Sequence, residues 1–201
     1  MRGWWGMVPI SSIAVTQMNH SNEARGLMRT LVSTSIESGL DNGHPAKVNL
    51  STLPSELQQP GACFVTLEQR GQLRGCIGTL LAHRPLAEDL QENGFAAAFH
   101  DPRFPPLTRS EWPQLTVKIS LLSTPEPLHF DSEEALIRQL VPGHDGLILT
   151  EGRHRGTFLP SVWEQLPTPQ QFLQQLKQKA RLPPHYWSDT LTIERYTTEQ
   201  F

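Results

Sequence analysis

The residues best suited to chemistry stand together in Arg74-Gly75-Cys76-Ile77-Gly78. On a strand, residues two apart share a face, so Arg74, Cys76 and Gly78 line one side while Leu73, Gly75 and Ile77 line the other. Arg74 then sits roughly 7 Å along the strand from Cys76, a gap its side chain can fold back across. A neighbouring guanidinium favours thiolate over thiol, and the thiolate is the nucleophile. Gly75 and Gly78 weaken a strand, which marks places where another backbone or a ligand comes close. One reading makes Cys76 a nucleophile or carrier thiol, with Arg74 positioning an anionic group. The other is structural: free cysteine is among the most buried residue types, and strand glycines permit tight helix packing. A catalytic cysteine also needs a base, and none adjoins this one in sequence.

His100, Asp101 and Arg103 form a second cluster around Pro102. They can assist Cys76 or bind a ligand. They can equally form a structural salt bridge that holds the loop while Phe104 plugs the core. The same choice applies to Thr157, which can line a cleft with Pro160 and Trp163 or belong to the core. Arg153 to Gly156 can hold an anion but read better as solvated charge at a turn, and Lys179 suits the negative end of its helix. The eight histidines show no HxH or HExxH pairing, and no phosphate loop or dinucleotide fingerprint is present. No cofactor or metal is expected from these residues.

The elements that position these groups follow from local pattern. GACFVTLEQ and QLRGCIGTLL are two β-rich runs around Arg70-Gly71, a hairpin signal. With a two-residue loop, Cys76 faces Val65 and Cys63 lies diagonally on the same face; a three-residue loop puts Cys63 on the opposite face. Two free thiols are favoured over a disulfide. A helix starts at Ser21-Asn22-Glu23 and runs to a stop at Gly39, and LPSELQQ is a short helical turn. Pro85 opens the helix PLAEDLQENGFAAAFHD at its first turn, and Gly94 and the alanines suggest close packing. LTVKISLLS is a strand and DSEEALIRQL a capped helix. GLILTEG pairs with RHRGTFLP across Gly152. SVWEQL and PTPQQFLQQLKQKARL are helices, and DTLTIERYTTEQF closes the chain as a strand. Hairpins mixed with separate helices indicate an α+β fold with antiparallel sheets flanked by helices.

Composition bounds the function. The chain has 201 residues, 37% hydrophobic and 18% charged, with a net charge of -3 and a pI near 6.2. That is ample for one sizeable core, and the balance disfavours nucleic acid as a partner. Two cysteines are too few for a disulfide framework, and no apolar run reaches membrane-spanning length, so a cytoplasmic setting without membrane contact is expected. The first residues, up to His20, read as an N-terminal extension in which Met7 and Met18 are alternative starts; the apolar run there is too broken for a signal peptide.

LRGCIG, then PLAEDLQENGFAAAFHDPRFPPL, then GTFLPSVWEQL, then FLQQLKQKA resemble the AMMECR domain family in that order and spacing. Prokaryotic members are called AmmeMemoRadiSam system protein A. The resemblance runs from about Ala24 to Phe201. Where the family reads KAGL, this chain reads KARL, with Arg181 for glycine. The resemblance implies a single domain over 21–201, with a larger sub-lobe holding both chain ends, a smaller inserted one and a cleft between them. It makes LRGCIG the signature and assigns no reaction. It places the protein in a modification pathway with a Memo-like protein and a radical SAM enzyme as partners. An enzyme component using Cys76 and Arg74 and a non-catalytic protein- or peptide-binding module both fit this background, and the LRGCIG face is expected to border the cleft.

Overall fold

A computed structural model describes residues 20–201; the extension read over the first residues otherwise lies outside the described residues. Five helices accompany two four-stranded antiparallel sheets, an α+β fold as expected.

The first sheet has the order β2-β1-β3-β8, built from β1 (Ala62–Gln69), β2 (Gln72–Gly78), β3 (Leu115–Leu122) and β8 (Thr198–Gln200). On one face Cys63, Val65 and Leu67 join Ile119 and Leu121 in a core roofed by α1 (Asn22–Asn42) and α3 (Leu86–Phe99). The short α2 (Ser55–Gln58) adds Leu57 to the same core. Ser21 caps α1 by accepting a hydrogen bond from the Ala24 amide. The helix runs past Gly39 to Gly43, whose left-handed φ of 76° ends it. Gly39 is a packing residue rather than a stop, because an added Cβ would lie 2.2 Å from the Phe99 ring. Pro85 stands one position before its helix, at the N-cap.

The second sheet has the order β4-β7-β5-β6, from β4 (Glu126–Leu128), β5 (Gly146–Glu151), β6 (His154–Phe158) and β7 (Thr192–Tyr196). Its outer core collects Leu147 and Leu149 with Phe172, Leu173 and Leu176 of α5 (Pro169–Lys179) and Leu136 of α4 (Glu133–Gln139). The stretch SVWEQL forms a short 3-10 turn over Pro160–Glu164 instead of an α-helix, and its Trp163 ring stacks on Phe172 at 3.8 Å.

The sheets meet through Ala62, Leu122, Ile148 and Tyr196, with Phe64, Leu80 and Leu159 packed around them. The last segment is two strands, not one: β7 completes the second sheet, Thr197 passes between, and β8 returns to β3 of the first.

Candidate functional site

The β1–β2 hairpin decides where the signature residues point. Its loop is Arg70-Gly71, with φ of 53° and 76°, and Gln69 pairs with Gln72. Positive φ at both central residues is the type I′ geometry that matches strand twist, so the two-residue loop is correct. The ladder then jumps from Glu68↔Leu73 to Leu67↔Gly75, which leaves Arg74 without a partner on β1. This bulge moves the register by one, so Cys76 faces Thr66 rather than Val65. Cys63 consequently lies on the helix side and Cys76 on the other, and both thiols are free.

Arg74 is re-aimed by the same bulge. Its Nε and Nη2 donate to Glu111 at 2.9 and 3.3 Å, and Nη2 also donates to the Pro105 carbonyl at 3.0 Å. These hydrogen bonds hold the Glu111 carboxyl down to about 2. The period-two reading that laid Arg74 over Cys76 therefore fails in geometry, because its charge is committed to Glu111.

The guanidinium beside Cys76 belongs to Arg103. Its Nη2 donates to the Cys76 carbonyl at 3.1 Å, while Asp101 Oδ2 accepts the Cys76 amide at 2.8 Å. Arg103 and Asp101 are themselves paired at 2.6 and 2.9 Å, and this pairing holds the Asp101 carboxyl well below the usual range. Two side chains thus close the outer edge of β2 at one residue. The Arg103 pKa is raised, first by Asp101 and in smaller part by the nearby Cys76 thiol. The guanidinium groups of Arg74 and Arg103 both lie over the Phe104 ring, 5.9 and 5.6 Å from its centre. His100 caps α3 from an exposed position and sets its ring edge-on to Phe95 at 5.0 Å.

Both signature glycines meet protein. A Cβ on Gly75 would lie 2.1 Å from the Ala97 carbonyl of α3, and one on Gly78 would lie 2.3 Å from the Phe64 ring. Thr157 sits in β6, where its hydroxyl donates to the Leu147 carbonyl at 2.9 Å and bonds the Tyr196 hydroxyl at 3.1 Å. Burial pushes that tyrosine up to about 12. The structure brings Cys76, Asp101 and Arg103 together, sends Arg74 to Glu111, and leaves Thr157 in the other sheet.

The half-buried Cys76 sulfur accepts a hydrogen bond from the Thr66 hydroxyl at 3.2 Å. Its polar neighbours, Thr66 and Arg103, are both donors. Neither takes a proton at neutral pH, and the Asp101 carboxylate is spent on Arg103 and a backbone amide. Cys63 is fully buried, and that burial pushes its thiol up. Among the described residues no group of three or more His, Cys, Asp or Glu side chains converges to hold a metal ion.

One feature had no readable signal. Asp89 is fully buried and accepts from the Cys63 amide, Thr79, Arg84 and Asn93, tying the end of β2 to α3. A cleft of about 550 Å³ opens beside β3 and β8 of the first sheet, floored by Ser120, Thr198 and Gln200 and walled by residues of 142–143 and 159–167, Pro160 and Trp163 among them. Arg74, Cys76 and Gly78 are not among its lining residues. Gly78 pairs with Phe64, Phe64 with Ser120 and Ser120 with Gln200, so the cleft lies at the other end of that row. At about 4.8 Å per strand, Gly78 is roughly 10 Å from Ser120.

No helix among the described residues is long and apolar enough to cross a membrane. A protein of Thermotoga maritima is 39% identical over 153 residues, covering 75% of this chain and 83% of that protein. One of Thermococcus gammatolerans is 38% identical over 182 residues, covering 85% and 86%. Among solved structures, the crystal structure of the uncharacterized protein PH0010 from Pyrococcus horikoshii is similar, with a TM-score of 0.79 and 32% identity over 87% of this chain and 88% of that one. The AMMECR1 family model matches residues 30–201, and with it the order LRGCIG, DPRFPPL, GTFLP finds its explanation: this chain belongs to the AMMECR1 family.

Proposed function

We propose that this protein is a non-catalytic binding component of a modification pathway whose chemistry is carried by other proteins. The observation that supports this reading is how the signature spends its polar groups. Arg74 is paired through Nε and Nη2 with Glu111, only its buried Nη1 lacking a partner among the described residues, Asp101 is paired with Arg103, and both backbone groups of Cys76 are bound by that second pair. No proton acceptor reaches the Cys76 sulfur among its polar contacts, and a nucleophilic thiol requires one or a strongly lowered pKa. LRGCIG then acts as the rigid joint between the first sheet and α3. The partners to test first are those the family resemblance supplies, a Memo-like protein and a radical SAM enzyme.

The test is calorimetric titration of the isolated protein with each purified partner, using wild type and Cys76→Ser. Binding is expected to one partner and to be retained by the serine variant. Turnover of a small molecule by the isolated chain, lost in Cys76→Ser, would overturn the reading in favour of a thiol enzyme.

A further inference from the structure

The first sheet ends on one side at β8, and the hydrogen bonds there reveal which backbone groups are unused. Ile119 and Phe201 exchange both of their bonds, and the Ser123 amide donates to the Thr197 carbonyl. In an antiparallel ladder bonded and non-bonded pairs alternate, so Leu121↔Glu199 is bonded while Ser120↔Gln200 and Leu122↔Thr198 are not. The amide and carbonyl groups of Thr198 and Gln200 therefore point outward from the sheet. No protein partner takes them among the described residues, and Gln200 is exposed.

The side chains of these same two residues floor the cleft. Glu199, between them, turns to the helix side and binds the His20 amide and Arg25. The free edge and the cleft are thus one continuous surface. A strand added along β8 would bond to Thr198 and Gln200 and send alternate side chains into the space beside Leu159, Pro160 and Pro167. Among the described residues Glu164 is the one charged residue that lines the cleft, and it is exposed.

We infer that the β8 edge and this cleft dock an extended segment of a partner protein, added as a fifth strand, with an apolar side chain in the cleft and a lysine or arginine facing Glu164. The chemistry follows from the site: main-chain bonds supply a register without sequence demand, the apolar walls select one side chain, and the carboxylate selects charge. The inference rests on the binding-component reading and names its surface.

The probe is the peptide acetyl-Lys-Val-Thr-Val-Thr-Lys-amide, followed by backbone amide NMR on the full chain. Binding is expected to shift and protect the Thr198 and Gln200 amides. Thr198→Pro removes an outward amide that β3 does not use, so the variant keeps its own ladder while its affinity falls about tenfold, the scale of one lost hydrogen bond plus a steric clash. Glu164→Lys should reverse the preference between this peptide and its glutamate counterpart. The inference is overturned if the peptide fails to bind at millimolar concentration, shifts other amides, or binds Thr198→Pro equally well. It is overturned too if sedimentation shows a β8-dependent dimer, or if removing residues 1–19 tightens binding about tenfold, which would assign the edge to a second copy or to this chain itself. A partner protein that binds wild type and Thr198→Pro alike removes this site but leaves the binding-component reading intact. Cys76-dependent turnover removes that reading even if the peptide docks at β8.

Discussion

The two edges of the first sheet are treated differently. At β2 a salt-bridged pair, Asp101 and Arg103, takes both backbone groups of Cys76, and the loop carrying it is pinned again by Arg74 and Glu111. At β8 the outward groups of Thr198 and Gln200 have no protein partner among the described residues. An unpaired edge invites another strand, so proteins usually blunt it. Here the edge that carries the family signature is blunted and the one beside the cleft is left open. Sequence signature and binding surface need not coincide: LRGCIG reads as the residues a closed edge requires.

The contrast can be broken most sharply at Gly75. Gly75→Ala places a Cβ 2.1 Å from the Ala97 carbonyl, and it should cost about 3 kcal/mol or more because helix and strand must separate. Thermal unfolding measures this. Retention of the wild-type Tm would show that α3 does not depend on the close approach.

Opening the β2 edge should come next. Asp101→Ala strands the Arg103 charge and the Cys76 amide, an expected loss of about 2–3 kcal/mol by denaturant titration. It should also cause concentration-dependent association, since the freed edge is now a template. A variant that stayed monomeric would mean the loop itself, not its side chains, guards the strand.

Acid tests the same clamp without mutation. The Glu111 carboxyl is held down to about 2 from an ordinary value of 4.5, first by the Arg74 hydrogen bond. A depressed carboxyl stabilises the fold above its unfolded value, and that contribution is lost as pH falls from about 4.5 towards 2. Glu111→Gln should therefore show a shallower loss of stability across that window than wild type. Parallel curves would mean the pair contributes nothing to folding.

The smallest effect is expected at the open edge. Thr198→Pro should change stability by only about 0.5 kcal/mol, because the amide it removes serves no bond in the free protein. A loss as large as that of Asp101→Ala would show the edge to be occupied already.

Much of this architecture was legible in the sequence. Ser21 announced the first helix, the three alanines announced close packing, and Arg70-Gly71 announced the hairpin. The break in DTLTIERYTTEQF was not legible, since Thr197 looks no different from its neighbours and only the distant β3 decides where the chain turns. The Arg74 bulge escaped for a similar reason. Alternation along one strand predicts faces only while the ladder is regular, and the residue at the irregularity, Arg74, finds its partner in Glu111, 37 residues away. Asp101 and Arg103 were recognisable as a pair, but their grip on the backbone of Cys76 belongs to tertiary structure. Thr66 could have been found by laying the hairpin in its true register.

The jump from β7 to β8 also sets an order of events during synthesis. Gln200 reaches Ser120 across 80 residues, so β3, already paired with β1, must wait for its second neighbour until the strands of the second sheet have been made. Closing so long a loop is slow relative to forming the local β1–β2 hairpin. The nascent chain therefore forms its signature hairpin early and completes the floor of its cleft late, together with β7, an inner strand of the second sheet.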